Sequence, residues 1–241
     1  NYFLALRTSM DDILTASFFK TKDMRLDFKI QELKGTLPVL MIFIARTGHR
    51  IVTVEPVEIN DSGQFVDSRL GKATYHAHNQ IQGVKITYEK DSVTAANNIN
   101  PQKAVYYFPI DLSEPSLSRK PAFSRFLDNH TGVVTFIKSA SYLMHGKNFA
   151  TIRSLILKHS KAVIQDDSGI PLKYFTQQNS GEIWEPLFYG TYKAPIPMFK
   201  QYYQEDLKIN FADTSKIRPL PFRIGYGSLT KSNIIVLKKK T

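Results

Sequence analysis

Between Val133 and Ile164 the hydrophobic period of the chain changes twice. Val133-Val134-Thr135-Phe136-Ile137 is a run of β-branched and aromatic residues, the composition of a buried strand. Over residues 141–159 the period becomes helical: Phe149, Ile152 and Ile156 share one face, and Lys147, Thr151, Ser154 and Lys158 share the opposite one. Ala162-Val163-Ile164 then reads as a strand again. Strand, helix and strand over about 30 residues form a βαβ unit, whose crossover is right-handed and whose strands pair in parallel. This segment places the chain in the α/β class.

Other elements fill in around it. Phe3, Leu6, Met10, Ile13 and Leu14 place an amphipathic helix over 2–19, and residues 21–35 fit either a second helix or a strand. Leu37 to Ile44 is an uninterrupted apolar run between Gly35 and Gly48, expected as a buried strand. The link from it to Ile51–Ile59 is too short for a helical crossover, so the two are expected to form an antiparallel hairpin. Residues 60–82 read as loop with one short strand, and 91–103 as an exposed loop. Val84, Ile86 and Tyr88 mark a strand, Val105–Ile110 another, and Ser118–Leu127 a short helix with Pro121 in its first turn. Pro197 opens a further helix, and Phe222–Tyr226 with Ile234–Leu237 reads as a C-terminal β-hairpin. There is no internal repeat and no Pro/Ser/Gly linker. The expected architecture is a single α/β domain over 1–241, with a mixed sheet and helices on both faces.

Composition removes several classes. The chain has no cysteine, so neither a disulfide scaffold nor a thiolate zinc module is available. Its longest strongly apolar run, Val39–Ala45, is far below the roughly 20 residues of a membrane span. The net charge of +11 is unevenly placed: residues 1–120 carry 15 bases against 13 acids, and residues 121–241 carry 17 against 8. A basic face of this kind is either a solvated surface or an attractor of polyanions. No helix-turn-helix, RRM, KH or zinc-finger pattern accompanies it, so no specific nucleic-acid motif is present.

Open α/β sheets bind ligands beyond the carboxyl ends of their parallel strands. Lys138, Ser139 and Ser141 follow the first strand of the βαβ unit; Asp166, Asp167, Ser168 and Gly169 follow the second; Asp111 follows the 105–110 strand. Lys138, Ser139, Ser141, Asp111 and Ser168 are therefore candidate ligand-binding residues. The hydroxyls and the ammonium suit an anion at a helix start, and a carboxylate suits ligand hydroxyls. Asp166 or Asp167 with His145 are candidate catalytic residues for a hydrolase, with Ser141 one turn from His145. Simpler roles compete with each of these. Asp-Asp-Ser-Gly is what a tight turn uses, a serine before a helix is commonly its cap, and an inward histidine is commonly a core residue. His76 and His78 lack a third ligand, so no metal site is assigned, and no cofactor is indicated. Gly225-Tyr226-Gly227 is a lone G-x-G without a dinucleotide or phosphate-loop context. The rings from Tyr174 to Tyr203 read as core anchors, with a groove that stacks on sugars or bases as the alternative.

The strings SFFKTKDM (17–24), LPVLMIFIARTGH (37–49), GVKITY (83–88), KSASYLMH (138–145), QDDSGIPLKYF (165–175), YGTYKAPIPMF (189–199) and FRIGYG (222–227), followed by Ser232-Asn233, together resemble a family of uncharacterised, exported bacterial proteins. The resemblance spans nearly the whole chain and is most specific at Lys138–His145 and Gln165–Pro171. It implies a periplasmic or extracellular location, with which the missing cysteines agree, and a further N-terminal region that these 241 residues lack. The family brings no established activity, so no residue inherits a role. Three functions stay open: an envelope protein binding a small anionic or sugar-like ligand, a hydrolase, and a basic module docking on polyanions or a protein partner.

Overall fold

The computed structural model of the protein describes residues 36–67, 81–90, 101–138, 142–176, 184–220 and 232–240. The expected helix over 2–19, the 21–35 segment, His76, His78 and the 222–226 arm of the C-terminal hairpin lie outside the described residues. The chain mixes helices and strands, as its hydrophobic periods predict, and its strands form two sheets. It divides into two compact units: residues 1–111 with 120–126, and residues 112–119 with 127–241.

The first unit begins with a correction. Residues Thr36–Arg46 form an α-helix, α1, and not the strand expected from the apolar run. A run that is apolar at every position satisfies both periods, so periodicity cannot decide it. Leu, Met and Ala are good helix formers, and Pro38 falls in the first turn, where its missing N–H costs nothing. The helix closes with Thr47 N–H on the Phe43 carbonyl (3.1 Å) and Gly48 N–H on that of Ala45 (3.1 Å). Strands β1 (His49–Ile59), β2 (Phe65–Asp67), β3 (Ile81–Lys90) and β4 (Lys103–Tyr107) form an antiparallel sheet in the order β2-β1-β3-β4. β1 therefore pairs with β2 and β3, and its expected hairpin with Leu37–Ile44 does not exist.

The β1–β2 turn is built by Asn60. Its Oδ1 accepts from the Ser62 N–H (3.1 Å), the Ser62 hydroxyl (2.7 Å) and the Gln64 N–H (2.9 Å). Gly63 sits in the turn at φ +76°, and a Cβ there would stand 2.4 Å from the Phe126 nitrogen. Ile59, Ile81 and Ala122 form the core, with Phe65, Phe108, Phe123 and Phe126 packed on it. Ala122, Phe123 and Phe126 come from helix α3 (Pro121–Asp128), which follows the short helix α2 (Glu114–Leu117).

In the second unit, strands β5 (Val133–Ile137) and β6 (Ser160–Gln165) are parallel and flank helix α4 (Ala150–His159), as the βαβ reading requires. The expected helix over 141–159 is shorter than its pattern. Residues Leu143–His145 and Lys147–Phe149 are two 3₁₀ turns, and the α-helix starts at Ala150. Its N-terminus is capped from a distance: the Glu114 carboxylate accepts from Thr151 N–H (2.5 Å) and Oγ1 (2.7 Å). Helix α5 (Lys173–Thr176), strand β7 (Trp184–Gly190), a 3₁₀ segment Pro197–Tyr202, helix α6 (Glu205–Ala212), strand β8 (Ile217–Arg218) and strand β9 (Asn233–Lys239) complete the unit.

The second sheet is mixed, in the order β5-β6-β9-β7-β8, with β9 antiparallel to both β6 and β7. One row of partners, Ile137–Gln165–Ile235–Phe188, is fully buried. Phe188 meets Phe211 of α6 at 5.1 Å between ring centroids, so α6 covers this face. β5 itself is not the buried strand expected: only Ile137 is buried, while Val134 and Phe136 are 54% and 52% exposed. Among the described residues it is the edge strand of its sheet, with a strand neighbour on one flank only.

Candidate functional site

β5 and β6 end in register, with Ile137 opposite Gln165, so Lys138 and Asp166 leave adjacent parallel strands at the same edge. The turn after β6 is fastened from within. The Gln165 side chain accepts from the Ile170 N–H (2.9 Å) and donates to the Ile170 carbonyl (2.7 Å), closing the loop over itself. Only glycine fits at 169, where a Cβ would lie 2.4 Å from Gln165 Oε1. Asp166 Oδ1 accepts from the Ser168 N–H (3.0 Å) and from its hydroxyl, an Asx turn in which Ser168 is a loop fastener.

Asp167 is held on every side. Its carboxylate accepts from the Tyr142 hydroxyl at Oδ2 and from Asn233 Nδ2 (2.8 Å) at Oδ1, while its N–H donates to Asn233 Oδ1 (2.9 Å). Its carbonyl accepts from Gln204 Nε2 (3.1 Å) and from His145 Nε2 (3.3 Å). A carbonyl only accepts, so Nε2 carries the imidazole proton and Nδ1 presents its lone pair. Nδ1 accepts no hydrogen bond among the described residues, and neither does Asp166 Oδ2.

Two further features mark this place. Tyr142 has φ 55°, the one non-glycine residue with positive φ among the described residues, a conformation a bulky side chain keeps only under constraint. Its ring stacks on Tyr202 (5.5 Å, 8°) and meets His145 and Phe199 at 5.1 Å each. Beneath the 3₁₀ turns lies Arg153, 6% exposed, which donates to the carbonyls of Met144 (2.8 Å) and Gly146 (2.7 Å) and stacks on Tyr174. It fixes the segment carrying Tyr142 and His145.

The electrostatics follow from burial. Burial pushes the Asp166 carboxyl above its usual range, against the Ser168 hydrogen bonds and the attraction of the Lys138 ammonium. Asp167 is raised for the same reason, with the Asp166 charge adding to it and the Tyr142 and Asn233 hydrogen bonds opposing it. Burial pushes His145 down to about 4, helped by the Arg153 and Lys173 charges and opposed by the Asp167 carbonyl, so the ring is neutral at pH 7. Tyr142 is raised by burial and by the Asp167 charge.

Of the candidates drawn from the sequence, Lys138, His145, Asp166, Asp167 and Ser168 come together here. His145 meets the Asp167 backbone and not its carboxylate, so among the described residues it forms no imidazole–carboxylate pair. Asp111 is exposed and follows an antiparallel strand of the other sheet, in the first unit. Ser139 and Ser141 lie outside the described residues. Sequence reasoning missed Tyr142, Arg153, Gln204 and Asn233. Asn233 had a signal, a polar residue opening the apolar run Ile234–Leu237; Gln204 had none.

No protein-family model matches the chain, and none of the curated proteins or solved structures compared with it is significantly similar.

Proposed function

We propose that the carboxyl edge of β5 and β6 binds a neutral, polyhydroxylated ligand, met by His145, Asp166 and Lys138. The observation that carries this reading is a pair of acceptors, His145 Nδ1 and Asp166 Oδ2, that take no hydrogen bond among the described residues, with the Lys138 ammonium acting on Asp166. Both are acceptors that nothing among the described residues occupies, so they suit a ligand that donates, as hydroxyls do. An anionic ligand suits the site less, because it would meet the Asp166 and Asp167 carboxyls. Tyr142, held in a costly backbone conformation by Asp167 and its ring stack, positions His145, and strain of this kind clusters at binding and catalytic sites. Location in a bacterial envelope, the expectation carried by the resemblance, belongs to the same proposal.

Saturation-transfer NMR with maltohexaose, myo-inositol and inorganic phosphate tests it. At least one polyol should give signal and phosphate none. In Asp166→Asn, Ser168 holds the amide oxygen and the amide nitrogen faces the ligand, turning an acceptor into a donor. That variant and His145→Phe should each weaken the polyol by roughly tenfold, the worth of one hydrogen bond. Phosphate binding without polyol binding, or undiminished polyol binding by both variants, would sink the reading.

A further inference from the structure

The outer flank of β5 is unlike every other sheet edge among the described residues. β2 has three residues and β8 two, β4 opens with Lys103, and β8 ends in the exposed Arg218. Short length and charge are the usual protections of a strand edge. β5 has neither: its five residues are uncharged, without proline, and Val133, Val134 and Phe136 are 38%, 54% and 52% exposed.

We propose that β5 pairs with β5 of a second copy of this chain, antiparallel about a twofold axis at Thr135, joining two five-stranded sheets into one. The strand is its own complement in that register. Val134 of each copy faces Phe136 of the other, a β-branched residue against an aromatic one, and Val133 faces Ile137. Within the paired strands charge does not oppose the match. Lys138 falls opposite Gly132 of the other copy, and the two Lys138 residues stand six positions apart, roughly 20 Å along the strand, beyond the screening length of about 8 Å. Five residues per copy is well below the 20–30 of a stable interface, so the dimer is weak, with a dissociation constant of roughly 10–100 μM.

Sedimentation velocity of the full chain from about 5 to 500 μM should show a species of 27.5 kDa giving way to one of twice that mass. Two double variants read the register. Val134→Lys with Phe136→Lys puts like charges opposite each other and should weaken the dimer by about 100-fold or more. Val134→Glu with Phe136→Lys places the same number of charges on the edge but sets opposite ones face to face, and should stay within about tenfold of the parent. Circular dichroism confirms that each is folded. A parent chain monomeric throughout, a Lys/Lys variant that still dimerises, or a folded Glu/Lys variant as monomeric as Lys/Lys would each overturn the proposal.

Discussion

The two compact units bury different chemistry. The first is an antiparallel sheet whose cluster is wholly apolar: Ile59, Ile81 and Ala122 under four phenylalanines. The second also buries Ser116, Arg153, His159, Ser160, Gln165, Asp166, Ser168, Gln204, Ser232 and Asn233, and no buried polar or charged side chain among the described residues lies in the first. Burying such groups costs free energy unless every partner is in place. A unit that does so at a parallel strand edge, with perturbed carboxyls and a neutral histidine, is where a function is to be sought. The contrast also says how each unit should fail, the first to steric change and the second to lost hydrogen bonds and to pH.

The largest effect is expected at Gly63. A Cβ there meets the backbone of Phe126 at 2.4 Å and of Arg125 at 2.6 Å, and the residue is at φ +76°. Backbone cannot yield as a side-chain tip can, so Gly63→Ala should destabilise the first unit by roughly 4 kcal/mol. Hydrogen exchange of the β1 and β3 amides measures it; protection unchanged from the parent would contradict it.

Next comes Gln165→Leu in the second unit. The volume is nearly kept, but the N–H and carbonyl of Ile170, a residue 1% exposed, lose their partners. Two orphaned groups should cost about 3 kcal/mol. Trp184, the single tryptophan of the chain and buried in β7, reports it by fluorescence during urea unfolding. A cost below about 1 kcal/mol would mean that apolar packing, not the polar loop, holds this unit.

The smallest effect is a slope. His145 is depressed to about 4, so its contribution is complete above its ordinary pKa of 6.5 and is lost as pH falls through 4. Asp166 and Asp167 are raised, so theirs is complete below 3.8 and is lost as pH rises through their folded values. The groups oppose each other just above pH 4. Removing the imidazole in His145→Phe should improve stability relative to the parent between pH 7 and 4.5 by on the order of 2 kcal/mol. The same difference at both pH values would show that the ring is not buried neutral.

Much of the second unit is legible locally. β5, β6 and β9 announce themselves as apolar runs, the helical period between β5 and β6 implies their parallel pairing, and Gln165–Gly169 marks the edge where the candidate residues gather. The helix at Thr36–Arg46 escapes such a reading because a run with no polar position has no period to read. The exposure of β5 escapes it because composition does not say which strand stands at the edge of a sheet.

What the sequence by itself determined, then, is the α/β class, the parallel pair and the loop chemistry, since each depends on residues within a few positions of one another. The tertiary structure alone decided what those loop residues do. Asn233 reaches Asp167 across 66 positions, Gln204 across 37, and Glu114 caps α4 across 37. Such partners are chosen by the order of strands in the sheet and the packing of distant elements. That order turned Asp167 into an anchor and, among the described residues, left Asp166 and His145 each with an unoccupied acceptor and put β5 at the edge of its sheet.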